Sequence, residues 1–81
     1  YQLRYTLVPQ VARRHDIAAY FPNTVITYLD DGSAEVRATV TNLWQTRQIL
    51  LRYGDACRVH EPAELVALFR NTARGLAELY A

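Results

Sequence analysis

The sequence predicts a small mixed α+β domain, and three observations carry that prediction. At 81 residues, the chain has the length of one domain, so we expect a single domain over residues 1–81. With 51% hydrophobic and 21% charged residues, its composition is that of a globular protein. Its apolar residues alternate in some segments and recur at threes and fours in others, which predicts both strands and helices.

The first two predicted elements occupy the first quarter of the chain. A strand is predicted over residues 1–8, where Leu3, Tyr5 and Leu7 alternate with polar residues. A short helix is predicted from Gln10 to about Tyr20, because small and apolar residues there recur at helical spacing without Gly or Pro.

A β-hairpin is the strongest local prediction. Residues 25–29 and 35–41 both alternate, and the segment between them reads Asp30-Asp31-Gly32-Ser33. These turn residues tolerate positive φ. The two aspartates resemble a catalytic carboxylate pair, but the turn accounts for them, so we assign them no acid–base role.

The second helix is predicted over residues 43–53. Asn42 is a favourable N-cap and Gly54 a favourable C-terminal cap. Trp44, Gln48 and Leu51 share one stripe of this helix, and Leu43, Ile49 and Leu50 adjoin it.

A short strand and a long helix complete the chain. Residues 56–60 alternate, with Cys57 and Val59 on one side. Pro62 fits the first turn of a helix, and apolar residues then repeat at threes and fours up to Tyr80.

This order of elements is typical of a ferredoxin-like βαββαβ two-layer sandwich, here with an additional C-terminal helix. Strands one and three are expected in the centre of the sheet, with strand four beside strand one. Right-handed crossovers would place the helices on one face. The other face stays open unless a partner or the last helix covers it.

Three arginines are predicted to share the open face. If the apolar residues of strands one, three and four point at the helices, then Arg4, Arg37 and Arg58 point away from them, together with His60. Clustered guanidinium groups suit contact with phosphate or carboxylate, so these four residues are candidates for an anion, effector or partner site. The alternative is that the arginines are solvated or paired with acids such as Glu35.

The end of the last helix is a second candidate surface. A helix of this length exceeds what short strands need for cover. Leu76, Leu79 and Tyr80 are therefore candidates for a dimer interface, and the alternative is that they close the end of their own core.

The remaining composition excludes several classes of function. All nine cations are Arg, against eight acids, for a net charge of +1, so any anion site must be local. The single Cys57 and two histidines lack the spacing of a catalytic or metal site. We expect no enzyme, no metal and no cofactor. We also expect no membrane segment, a cytoplasmic location, and, because Met is absent even at position 1, origin in a larger protein.

The order and spacing of these features resemble the C-terminal extension (WCX) domain of bacterial WYL-domain transcriptional regulators. The segments that carry the resemblance are the Asp31-Gly32 hairpin, Val36 to Thr41, Asn42-Leu43-Trp44, Leu50-Leu51-Arg52-Tyr53-Gly54, Val59-His60-Glu61-Pro62 and Glu64-Leu65 to Tyr80.

The resemblance implies a parent protein with an N-terminal winged helix-turn-helix that binds DNA and a central WYL sensor domain. It further implies a dimer and an effector that is a nucleic acid or a small anion. The function that follows is a non-catalytic regulatory and dimerisation domain. A stand-alone small-molecule-binding module of ferredoxin-like fold is the alternative, and the Trp-Tyr-Leu triad of the sensor is absent here.

Overall fold

The fold combines a four-stranded antiparallel sheet with three helices, and a computed structural model describes all of residues 1–81. In chain order the elements are β1 (Gln2–Leu7), α1 (Pro9–Ala12), β2 (Val25–Tyr28), β3 (Ala34–Thr39), α2 (Leu43–Leu50), β4 (Cys57–Glu61) and α3 (Ala63–Leu79). Turns of 3₁₀ helix over Leu51–Ala56 join α2 to β4. The predicted α+β class is confirmed.

The strands lie in the order β2-β3-β1-β4, and each neighbouring pair is antiparallel. Strands one and three are central and strand four lies beside strand one, as predicted. The two edge strands of the sheet are therefore β2 and β4.

The core lies between the sheet and the helices. Alternation along β1 and β3 sends one set of side chains inward. The buried apolar residues that pack together are Leu3, Tyr5, Leu7, Val36, Ala38, Val40, Leu50 and Leu65. Cys57 and Val59 of β4 pack against this cluster and are half-buried. The predicted inward face of the sheet is confirmed.

The predicted helix from Gln10 to Tyr20 is wrong for most of its length. Helix α1 ends at Ala12, and His15 adopts a left-handed conformation with φ 55°. The predicted helix would have buried mainly alanines, whose small side chains remove little apolar surface from water. The irregular segment instead packs the larger Ile17 and Phe21 against the core, so tertiary packing overrides helix propensity.

The hairpin turn forms as predicted. Gly32 has φ 88°, and the Asp31 carboxylate accepts hydrogen bonds from the Ser33 amide at 2.9 Å and from its hydroxyl at 2.5 Å. These hydrogen bonds hold the pKa of Asp31 below its usual range. The Asp31 carboxylate therefore stabilises the turn.

The second helix is shorter than predicted and turns a different face to the core. Asn42 caps it, accepting from the Gln45 amide at 3.0 Å, but the regular helix ends at Leu50 and Gly54 lies in the 3₁₀ turns with φ 60°. The buried residues are Thr46 and Leu50, whereas Trp44 is 60% exposed. Trp44 therefore lies outside the core, and the side of the helix that faces inward is the adjoining one that includes Leu50.

Helix α3 begins one residue after Pro62, close to the predicted start, and runs for 17 residues. Its first part, residues 63–72 (the proximal part), includes Leu65, which is fully buried, and packs on the core. Residues 73–79 (the distal part) are all exposed. No helix of the chain has the length and apolar character needed to cross a membrane.

Candidate functional site

The open face of the sheet presents the four predicted polar candidates side by side. Arg4 of β1 is directly opposite Arg37 of β3, and Arg58 of β4 is opposite Thr6 of β1. Since opposite residues of paired strands point to the same face, Arg4, Arg37 and Arg58 share it with His60. The strand register thus brings three arginines that are far apart in the sequence onto one surface.

The first arginine of this face is neutralised by Glu61. Residues on β1 and β4 pair as Tyr5 with Val59 and then Arg4 with Glu61, which leaves His60 as an extra residue on β4. This irregularity has the character of a β-bulge and changes the direction of the side chains that follow it. The Arg4 Nε lies 3.0 Å from the Glu61 carboxylate. Alternation alone would have sent Glu61 to the other side.

The second arginine of the face is neutralised by Glu35. These residues are two apart on β3, so both side chains lie on the open face. The Arg37 Nε lies 2.6 Å from the Glu35 carboxylate. This hydrogen bond holds the pKa of Glu35 below its usual range and raises the pKa of Arg37. Both groups are charged at neutral pH, and their fields largely cancel.

The third arginine is the one with no ion-pair partner. Arg58 is exposed and takes part in neither of the two salt bridges of the chain. It lines a shallow hollow of about 290 Å³ together with Thr6 and His60, and Asp31 and Asp55 line the same hollow. Of the three predicted cations, Arg58 alone lies outside an ion pair, and the two aspartates offset its charge within the hollow.

His60 is fixed beside Arg58 by a hydrogen bond to β1. Its Nε2 lies 2.7 Å from the Thr6 hydroxyl. Burial, followed by the positive charges of Arg4 and Arg58, lowers the pKa of His60. The imidazole is accordingly neutral at pH 7 and adds hydrogen-bonding capacity to the hollow without adding charge.

The free thiol of Cys57, beside the sheet, is a poor nucleophile. Burial raises the pKa of the Cys57 thiol to about 12, so the reactive thiolate is scarce at neutral pH. No three or more His, Cys, Asp or Glu residues gather as metal ligands would. Of the four predicted candidates on this face, Arg58 and His60 take part in no salt bridge.

The second candidate surface is the end of α3. Leu76 is 48% exposed, Leu79 78% and Tyr80 85%. The prediction left open whether these residues close their own core, and the structure places them outside it. Three large apolar side chains thus share one exposed helix end.

A feature that sequence patterns did not reveal is the contact between α2 and α3. The Arg47 guanidinium lies 4.0 Å from the centre of the Trp44 ring and donates through Nη1 to the Thr72 hydroxyl at 3.1 Å. Thr72 in turn donates to the Leu68 carbonyl at 3.0 Å. The only sequence signal was the spacing of three between Trp44 and Arg47, which places them on one side of a helix.

Comparison with known protein families identifies the domain. The family model of the WCX domain matches residues 2–77, which is nearly the whole chain. The chain therefore belongs to the WCX domain family. No curated protein matches it.

Proposed function

We propose that this WCX domain is a non-catalytic regulatory and dimerisation domain of a cytoplasmic transcriptional regulator with a helix-turn-helix DNA-binding domain and a WYL sensor domain. Membership of the WCX family supports this context. The structural observation that carries the dimerisation part is the exposed apolar end of α3.

Pairing of this end with a second copy would remove an unfavourable surface from water. Leu76 lies three and four residues before Leu79 and Tyr80, so the three side chains form one patch. Burying a leucine or aromatic side chain contributes about 1.5–3 kcal/mol. A symmetric contact gains this twice, because each copy presents the same patch.

Dimerisation gives the domain a route to regulation. A helix-turn-helix dimer reads two half-sites whose spacing mirrors the geometry of the protein. A domain that holds two copies together fixes the distance between their DNA-binding domains. An effector that alters this contact would alter DNA binding.

We assign the fold to the ferredoxin-like type with a shortened first helix. The antiparallel order β2-β3-β1-β4 supports the assignment, as does the placement of α2 and α3 against the buried side of the sheet. The open face is the feature of this arrangement that matters for function, since it leaves Arg58 and His60 accessible.

The same proposal places effector or partner contact at Arg58 and His60 before Arg4 and Arg37. The two other arginines each face a carboxylate within 3.0 Å. An anion at Arg4 or Arg37 would have to displace Glu61 or Glu35. At Arg58 an anion would displace no ion-pair partner and would lie beside a neutral hydrogen-bonding imidazole, although Asp31 and Asp55 line the same hollow.

Light scattering on three proteins tests the dimerisation proposal: the natural chain, Leu79→Asp and Val25→Asp. Val25 is the matched control, because it is 59% exposed but lies on the distant strand β2. We expect the natural chain and Val25→Asp to show a mass that rises with concentration toward twice the monomer. Leu79→Asp should stay monomeric, because dimerisation would bury its charge. An equal monomer mass for all three at high concentration would refute self-association through α3.

A further inference from the structure

Strand β4 is an edge of the sheet with free hydrogen-bonding groups. The Val8 amide donates to the Ala56 carbonyl at 3.0 Å, and bonded pairs alternate along an antiparallel ladder. Cys57 and Val59 therefore turn their N–H and C=O groups away from β1, toward the free edge. An edge of this kind is a template for one more strand.

A trough runs along this edge between β4 and α3. It encloses about 410 Å³, and the residues that line it include Arg58, Val59, Val66, Phe69, Arg70 and Ala73. Apolar residues from the sheet and the helix thus form its floor, with Arg58 of β4 and Arg70 of α3 among the residues that line it. The trough offers pockets to the side chains of an added strand as well as backbone partners.

The two arginines of the trough have no ion-pair partner, although Asp31 and Asp55 line the separate hollow that Arg58 also borders. Neither Arg58 nor Arg70 belongs to a salt bridge, and no acidic side chain lines the trough. The opposite edge differs, because β2 carries no charged residue in Val25–Tyr28. Charge complementarity therefore points to an acidic occupant at β4 specifically.

We propose that the β4 edge and α3 bind an extended acidic peptide segment as a fifth strand of the sheet. Its backbone pairs with Cys57 and Val59, alternate apolar side chains lie over Phe69, and the acidic ones between them reach Arg58. The site is separate from the proposed dimer contact, since Leu76, Leu79 and Tyr80 do not line the trough. Failure of one proposal therefore leaves the other intact.

Fluorescence anisotropy with a labelled, end-blocked peptide of six alternating Val and Glu residues tests this site. We expect saturable binding to the natural chain and none to the same peptide with Lys in place of Glu. Arg58→Glu and Arg70→Glu together should weaken binding by about tenfold or more. Arg52→Glu is the matched control, because Arg52 is also exposed but lies outside the trough, and it should bind as the natural chain does.

Two further probes separate strand addition from simple attraction of anions. A peptide with proline in place of a central Val lacks an amide donor and should bind at least several-fold more weakly. A single-stranded oligodeoxythymidine of six nucleotides should not compete. Unchanged affinity of the double arginine variant, equal binding of the proline or lysine peptide, or full competition by the oligonucleotide would each overturn the proposal.

Discussion

The proximal and distal parts of α3 have the same amphipathic pattern but opposite environments. Leu65 is fully buried, whereas Leu79 is 78% exposed. The geometric reason is length, because 17 helical residues span about 25 Å, while the five residues of β4 span about 17 Å. The helix is therefore longer than the strand against which it packs, and its distal part extends beyond the sheet. A continuous apolar stripe can therefore serve folding at one end and association at the other.

The largest effect is expected in the proximal part, from Leu65→Ala. This change leaves a cavity in the core, so we expect the free energy of unfolding to fall by about 2–5 kcal/mol. Urea denaturation followed by circular dichroism measures it. A loss below about 1 kcal/mol would contradict the assignment of Leu65 to the core.

A smaller effect is expected at the boundary between the two parts, from Thr72→Val. Valine keeps the volume but removes the hydroxyl that accepts from Arg47 and donates to Leu68. The Arg47 Nε is already buried without a partner, so a second lost contact is costly. We expect a loss of about 1 kcal/mol in urea denaturation, and less than half of it for the exposed control Thr41→Val.

Gly75→Ala should stabilise the distal part. A Cβ added at Gly75 meets no atom within 4 Å, so the substitution removes the conformational freedom of glycine without a clash. The expected gain is about 0.5–1 kcal/mol, read as a higher thermal midpoint of dilute protein. A lower midpoint would show that the distal part is not a regular helix in solution.

The smallest effect on stability is expected from Leu79→Ala. At concentrations where the chain is monomeric, removing this exposed side chain should change the free energy of unfolding by less than about 0.5 kcal/mol. The same change should weaken self-association in light scattering. A large loss of stability in the monomer would show that Leu79 packs in the core as Leu65 does, and would contradict the exposed position assigned to it.

Much of the sheet could be predicted from the sequence, because strand alternation is a direct consequence of burial on one face. The alternation of Leu3, Tyr5 and Leu7 with polar residues predicts that these three side chains point inward. Arg4, which lies between two of them, must then point to the opposite face. The hairpin could also be predicted from the sequence, because Gly32 and Asp31 have local conformational preferences that favour a turn.

The sequence-based predictions were wrong in segments whose conformation is determined by tertiary packing. The segment after Ala12 has acceptable helical spacing, but the gain from burying Ile17 and Phe21 lies in contacts that are distant in sequence. Spacing alone placed Trp44 on the main stripe of α2, whereas the packing of Leu50 against the sheet decides which side of the helix faces inward.

The composition of the candidate face was only partly predictable. Arg37 and Glu35 are two residues apart on one strand, so their pairing was foreseeable. The pairing of Arg4 with Glu61 depends on the extra residue at His60, which no local pattern signals. The sequence therefore located the arginines without showing that Arg58 alone stays unpaired.

The central claim is that the distal part of α3 is an association surface, and hydrogen exchange at two protein concentrations tests it most directly. At high concentration the amides of residues 76–79 should exchange more slowly than in dilute protein, because the partner copy stabilises this end of the helix. The amides of residues 65–69 should exchange more slowly only as far as dimerisation raises the free energy of unfolding of the whole domain. Identical exchange of residues 76–79 at both concentrations would contradict the claim.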